Sequence, residues 1–169
     1  MAAVRGGRPE DLEALLPLYD ALYRELNGFG LAFTLSPEGI RGALSAQLQS
    51  KLCQVSVAEE DGRIVGFLSA GILRMDRKLS LPGTRALGMI HDLYLRPEHR
   101  GRGLARALLD RAEDWLAGQG VTLVQCQVVE GNGPGTAFWA RQGYAPTSTT
   151  RARILSTRTE EASHVVSPG

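Results

Sequence analysis

Arg100-Gly101-Arg102-Gly103 lies between an apolar stretch of β type and a leucine-rich helical stretch. Where a strand turns into a helix, the first N–H groups of the helix have no partners of their own, and the helix dipole adds partial positive charge. Two glycines let the backbone approach a ligand closely, since no Cβ intervenes. Two guanidinium groups add charge and forked hydrogen bonds. The chemistry this suits is a grip on a phosphorylated ligand, a pyrophosphate above all. A plain helix entry with solvated arginines and a hold on nucleic acid are the competing readings. The spacing is not a Walker loop, because G-x-x-x-x-G-K-[ST] is missing, nor the dinucleotide fingerprint, because no third glycine follows Gly103.

Just upstream, "ALGMIHDLYL" (86–95) carries His91 and Asp92. A general base works best with a pKa near neutrality, which is the ordinary range of an imidazole. Strand alternation puts Met89, His91 and Leu93 on one face and Ile90, Asp92 and Tyr94 on the other. Cys53 and Cys126 each sit in an apolar β-like stretch with no partner at metal-ligand spacing. They read as buried thiols in a reducing compartment, and no metal is expected.

Apolar residues at Leu12, Leu15, Leu16, Tyr19, Leu22 and Leu26 form a helical stripe that Pro17 should kink or split. Ser36-Pro37 reads as a cap and first-turn proline for a second helix to about Leu48. "QVSVAEEDGRIVGFLSAGIL" (54–73) is a hairpin about Asp61-Gly62. A third strand covers 86–95, and a helix runs from Leu104 to Leu116. A buried strand follows over 121–129, then a short helix from Thr136 to Gln142 and a last strand within 147–155. The strand–helix–strand unit from Ala86 to Val129 should be a right-handed parallel crossover. The expected class is α/β (α+β), a mixed sheet with helices on both faces.

The 169 residues suit one domain, expected over 1–155 with a polar tail over 156–169. A net charge of +1 argues against a nucleic-acid partner, although it leaves room for a local basic patch. The N-terminus lacks the apolar run of a signal peptide, and no stretch approaches the ~20 apolar residues of a membrane span. A cytoplasmic location and no membrane partner are expected.

"IHDLYLRPEHRGRGLARALLDRAEDWL" closely resembles the acetyl-CoA-binding core of the GNAT superfamily of N-acyltransferases. The signature Gln/Arg-x-x-Gly-x-Gly/Ala is met by Arg100, Gly103 and Ala105. Asn132 followed by "AFWARQGY" (137–144) is similar to a second feature of that family. The likeness covers about residues 54–155. It implies a mostly antiparallel sheet with a central splayed parallel strand pair, the thioester lying in the gap. It further implies that the amides of Gly101, Arg102, Gly103, Leu104, Ala105 and Arg106 hold the pyrophosphate, with Arg100 adding charge. Leu93, Tyr94 and Leu95 would pair their backbone with the pantetheine arm, and Asn132 would hydrogen-bond near it.

The activity so implied is direct transfer of an acetyl group from acetyl-CoA to a primary amine, through a tetrahedral intermediate stabilised by a backbone N–H. An alkylammonium, pKa about 10.4, must first lose a proton. Some members carry a catalytic His or Glu at the position of His91, and Asp92 is the next candidate, as base or as receiver of a cation. The tyrosine that many members place seven residues after the asparagine, to protonate the leaving thiolate, is Trp139 here. An indole is no practical proton source, so Trp139 is assigned to cofactor packing. That departure keeps open a non-catalytic acyl-CoA sensor of the same fold. Tyr144 is a possible substitute acid, though the family's aromatic there is normally structural. In the family the acceptor side is lined by segments matching "NGFGLAF" (27–33) and "RMDRKLSLPGTR" (74–85). Phe29, Leu31 and Phe33 suggest an apolar wall, whereas Arg74, Arg77, Lys78 and Arg85 make the second loop basic. The resemblance implies a small-molecule or peptide amine as acceptor, and it allows a homodimer, which is common in the family.

Overall fold

The computed structural model describes residues 1–155 apart from positions 77, 80 and 85. The expected tail, 156–169, and Arg77 and Arg85 of the basic loop lie outside the described residues. The elements in chain order are β1 (Ala3–Gly6), α1 (Leu12–Gly28), α2 (Pro37–Gln49), β2 (Cys53–Glu60), β3 (Arg63–Arg74), β4 (Ala86–Leu95), α3 (Leu104–Gly118), β5 (Val124–Cys126) and α4 (Gly133–Arg141). The strands form one mixed sheet in the order β1-β2-β3-β4-β5. The first three pairings are antiparallel and β4–β5 is parallel. Among the described residues no helix is long and apolar enough to cross a membrane.

Two apolar layers hold the sheet. On one face Leu15, Leu18, Tyr19 and Leu22 of α1 and Leu44 of α2 pack on Val55, Val57, Phe67 and Tyr94. On the other, Leu104, Leu108, Leu109, Ala112 and Leu116 of α3 pack on Ala58, Leu68, Ala70, Ile90 and Leu95, with Phe138 and Trp139 of α4 at the margin. Each fully buried leucine of these stripes contributes about 1.5–3 kcal/mol of transfer free energy. The expected caps and turns form. Ser36 Oγ accepts from Gly39 N–H at 3.2 Å, and Asp61 and Gly62 take positive φ of 50° and 74° in the hairpin turn.

Four expectations need correction. Pro17 does not split α1, which runs unbroken from Leu12 to Gly28. The proline sits in the second turn, where its missing N–H forfeits one bond, and buried Leu15, Leu18 and Tyr19 anchor the helix on both sides of it. An unforeseen strand, β1, forms over only four residues, too few for a period to register. Arg5 ties it down by donating to Asp11 at 2.7 Å and Glu59 at 2.8 Å. The parallel strand is three residues, Val124–Cys126, rather than the whole of 121–129. No strand forms within 147–155, where Ile154 and Leu155 are exposed and nothing offers an apolar face to bury. The parallel pair therefore stands at the edge of the described sheet, not at its centre.

Candidate active site

The sheet divides after Ile90. β4 pairs with β5 only at Gly88, Met89 and Ile90, opposite Val124, Gln125 and Cys126. Beyond that point β4 continues to Leu95, while 127–129 leave the sheet. The gap is a cleft of about 540 Å³, within the usual range of small-molecule sites. β4 from Ile90 to Leu95, the α3 turn, the segment 126–129, α4 and the end of α1 all line it.

At one end the turn into α3 presents its amides. Gly101 and Gly103 have φ of 73° and 80°, a region in which a side chain is strained. Gly103 is the N-cap, so no side chain caps the helix. Ala107 is the first residue whose N–H reaches a helical acceptor, Gly103 O at 3.0 Å. The amides before it are the ready-made anion site of a helix start.

The arginines of this turn all carry acidic partners, and Arg100 and Arg106 line the cleft. Arg100 forks onto Glu25 at 2.7 and 3.0 Å, donates from Nε to Leu95 O at 2.9 Å, and lies 5.5 Å over the Tyr94 ring. Arg102 forks onto Glu60 at 2.6 and 3.1 Å and does not line the cleft. The Glu60 carboxyl is held below its usual range by that guanidinium first and by His99 second. Arg106 donates to Asp110 and, at 2.7 Å, to Gln142. The expectation that Arg102 faces the ligand therefore gives way, because Glu60 draws its side chain to the β2–β3 hairpin.

At the other end, Ser69 of β3 pairs with Asp92, and the next residue, Ala70, pairs with Ile90. His91 is the extra residue of a β-bulge. The bulge overturns the alternation expected from sequence. His91 Nε2 would lie 2.7 Å from a Cβ at Gly71, and Asp92 Oδ2 accepts from Ser69 Oγ at 3.3 Å. Ser69 and Gly71 are two apart in β3 and share a face. His91, Asp92 and Tyr94 therefore stand together on the α1 face, while Ile90 and Leu93 pack on the α3 side. Burial pushes the Asp92 carboxyl above its usual range, against the Ser69 hydrogen bond and the His91 charge.

The remaining candidates divide. Trp139 lines the cleft, edge-on to Phe138 and Tyr144 at 5.2 and 4.9 Å. Asn132 lines it too, but its Oδ1 is engaged as the N-cap of α4, accepting from Gly135 N–H at 2.9 Å. Tyr144 donates to Glu113 Oε1 at 2.8 Å, and burial and that carboxylate push its phenol far up. It does not line the cleft. Phe29 lines the cleft, and its carbonyl oxygen presses on Gly131 so closely that no Cβ fits there. The loop after α1 thereby meets the loop before α4. Phe33 is 72 % exposed and stands outside the cleft. It takes no part in the apolar wall expected of it, and the Asn27 side chain donates to its carbonyl and to that of Leu31, both at 2.8 Å.

Sequence reasoning missed Leu22, Glu25 and Leu26 of α1, Cys126, Arg141 of α4 and Gln142 just beyond it, all of which line the cleft. The α1 leucines read as core, and their stripe carried no separate signal. The Cys126 thiol is pushed up to about 11 by burial, so it is a poor nucleophile.

A mixed sheet parted at its parallel pair, with uncapped helix amides at the opening, is the architecture of an acetyltransferase of the GNAT kind. The model of the Acetyltransferase (GNAT) family matches residues 19–144, and the chain belongs to that family. It is 25 % identical over 141 residues to the uncharacterized N-acetyltransferase YhfO of Bacillus subtilis, covering 83 % of this chain and 88 % of that one. It is 26 % identical over 139 residues to an uncharacterized N-acetyltransferase of Archaeoglobus fulgidus, covering 82 % and 90 %. A GCN5-related N-acetyltransferase from Ralstonia eutropha superposes with a TM-score of 0.75 at 26 % identity, over 91 % of this chain and 99 % of that one. The aminoglycoside N-acetyltransferase AAC(6')-Iy, solved with CoA, shares the fold with a TM-score of 0.71 at 18 % identity, over 94 % and 95 %.

Proposed function

We propose that this protein is an N-acetyltransferase that moves an acetyl group from acetyl-CoA directly to a primary amine, residues 1–155 being its catalytic domain. The observation that carries this reading is one cleft with uncapped α3 amides at one end and the paired His91 and Asp92 at the other. The turn amides from Gly101 to Arg106 take the pyrophosphate, as a helix start does. The free edge of β4 from Leu93 to Leu95 takes the pantetheine amides as an added strand would, with Asn132 and Trp139 on the facing wall.

Asp92 receives the substrate ammonium, and His91 beside it removes the proton that blocks attack. The amine adds to the thioester carbonyl, whose oxygen turns to a backbone N–H of the parted strand. The C–S bond then breaks and CoA leaves as its thiolate. A thiol has an ordinary pKa of about 8.5, so water can protonate the leaving group without a tyrosine at position 139.

The test is release of CoA thiol from acetyl-CoA against a panel of primary amines, with His91→Ala and Asp92→Asn beside the wild type. Release with at least one amine, lost in both variants, is the expected result. Acetyl-CoA binding with no turnover on any amine would identify a sensor instead, the reading that Trp139 keeps open.

A further inference from the structure

One polar group next to the catalytic pair lacks a partner. Tyr19 of α1 is 1 % exposed and stacks on Phe67 of β3, ring centroids 4.3 Å apart. Its hydroxyl makes no hydrogen bond. That hydroxyl lies beside Ser69 and Asp92. Ser69, also 1 % exposed, stands directly across from Asp92 in the β3–β4 register and donates to its Oδ2 at 3.3 Å. A sealed O–H without a partner is costly and rare. A phenylalanine at position 19 would stack equally well, so packing alone does not account for the hydroxyl.

We infer that Tyr19 and Ser69 are positioning residues for the transfer reaction: Ser69 holds one edge of the Asp92 carboxylate, Tyr19 joins it when that carboxylate is charged, and the other edge faces the cleft as an ionised receiver of the substrate amine. This rests on the acetyltransferase reading of Asp92. Ser69 already donates to the carboxylate, and Tyr19 is the second donor it can recruit when charged. Burial favours the neutral acid, whereas each donated hydrogen bond favours the charged form. The groups facing Asp92 are Tyr19 and Tyr23 from α1, Ser69 from β3 and His91 from its own strand. Of these, only Tyr19 and Ser69 are sealed from solvent. Their donors therefore act on the carboxylate undiluted by water.

The sign follows directly. Removing a donor destabilises the carboxylate, so the midpoint of Asp92 rises. The experiment is a carboxyl ¹³C NMR titration of protein labelled at aspartate, with Asp92→Asn to identify the signal. Tyr19→Phe keeps the stacking on Phe67, and Ser69→Ala removes the observed bond. We expect the midpoint to rise by about half a unit to one unit in each variant. The acid limb of kcat/KM should move the same way, with amine KM raised and acetyl-CoA Kd unchanged. An unmoved midpoint in Tyr19→Phe, a variant that preserves the packing, would overturn the inference even if Ser69→Ala failed to fold. A raised midpoint in a protein that acetylates no amine would overturn the acetyltransferase reading alone and leave the anchoring of the carboxylate standing.

Discussion

In the proposed acetyltransferase the α3 end of the cleft binds through its backbone, whereas at the β4 bulge two side chains carry the chemistry. The turn works because Gly101 and Gly103 hold positive φ and leave a helix start uncapped. Its arginines are ion-paired, Arg100 with Glu25, Arg102 with Glu60 and Arg106 with Asp110, and Arg100 and Arg106 also line the cleft. The bulge works in the opposite way. One extra residue in β4 brings His91 round to the face of Asp92, and its function depends on which residues those are. Binding through amides tolerates side-chain change except where the backbone takes positive φ, as at Gly101 and Gly103. Chemistry through side chains tolerates neither substitution nor a shift of register.

Substitutions should separate the two ends. The largest effect belongs to the bulge. His91→Ala and Asp92→Asn should each lower kcat by about 10²–10⁴-fold, with acetyl-CoA Kd unchanged by calorimetry. Gly103→Val should come next. A β-branched residue at φ 80° is strained, and the displaced amides should weaken acetyl-CoA by about 10²-fold while an isolated His91 defect leaves it alone. Arg100→Ala should weaken acetyl-CoA by about tenfold, because it removes a guanidinium from the cleft wall and leaves the Glu25 carboxylate there to repel the anion. Arg102→Ala should change that affinity by less than about threefold, since this ion pair lies off the cleft. Tyr144→Phe is the smallest in activity. It should leave kcat within about twofold and lower stability by about 1 kcal/mol, through the lost bond to Glu113. A large fall in kcat there would restore Tyr144 as an acid.

The two ends also differed in how far sequence revealed them. The turn was legible because glycine spacing between a strand and a helix has few physical uses, and Gly101, Gly103, Leu104 and Ala105 all line the cleft. Arg102 was misjudged because its partner, Glu60, lies 42 residues away. At the bulge the residue types pointed to His91 and Asp92, both of which line the cleft, but strict alternation set them back to back. A bulge is a property of pairing between strands, and one strand read alone contains no sign of it. The same limit hid the shortness of β5, whose apolar run continued past the point where β4 parts from it. Helices with a clear stripe and cap, such as α2 and α3, came through because their signals are local.

The most direct measurement is isothermal titration of acetyl-CoA into the wild type and into Gly103→Val, followed by CoA thiol release with the amine panel. Saturable binding by the wild type, lost in the variant and accompanied by amine-dependent thiol release, is the expected result. No binding of acetyl-CoA, or binding that Gly103→Val leaves intact, would contradict the account.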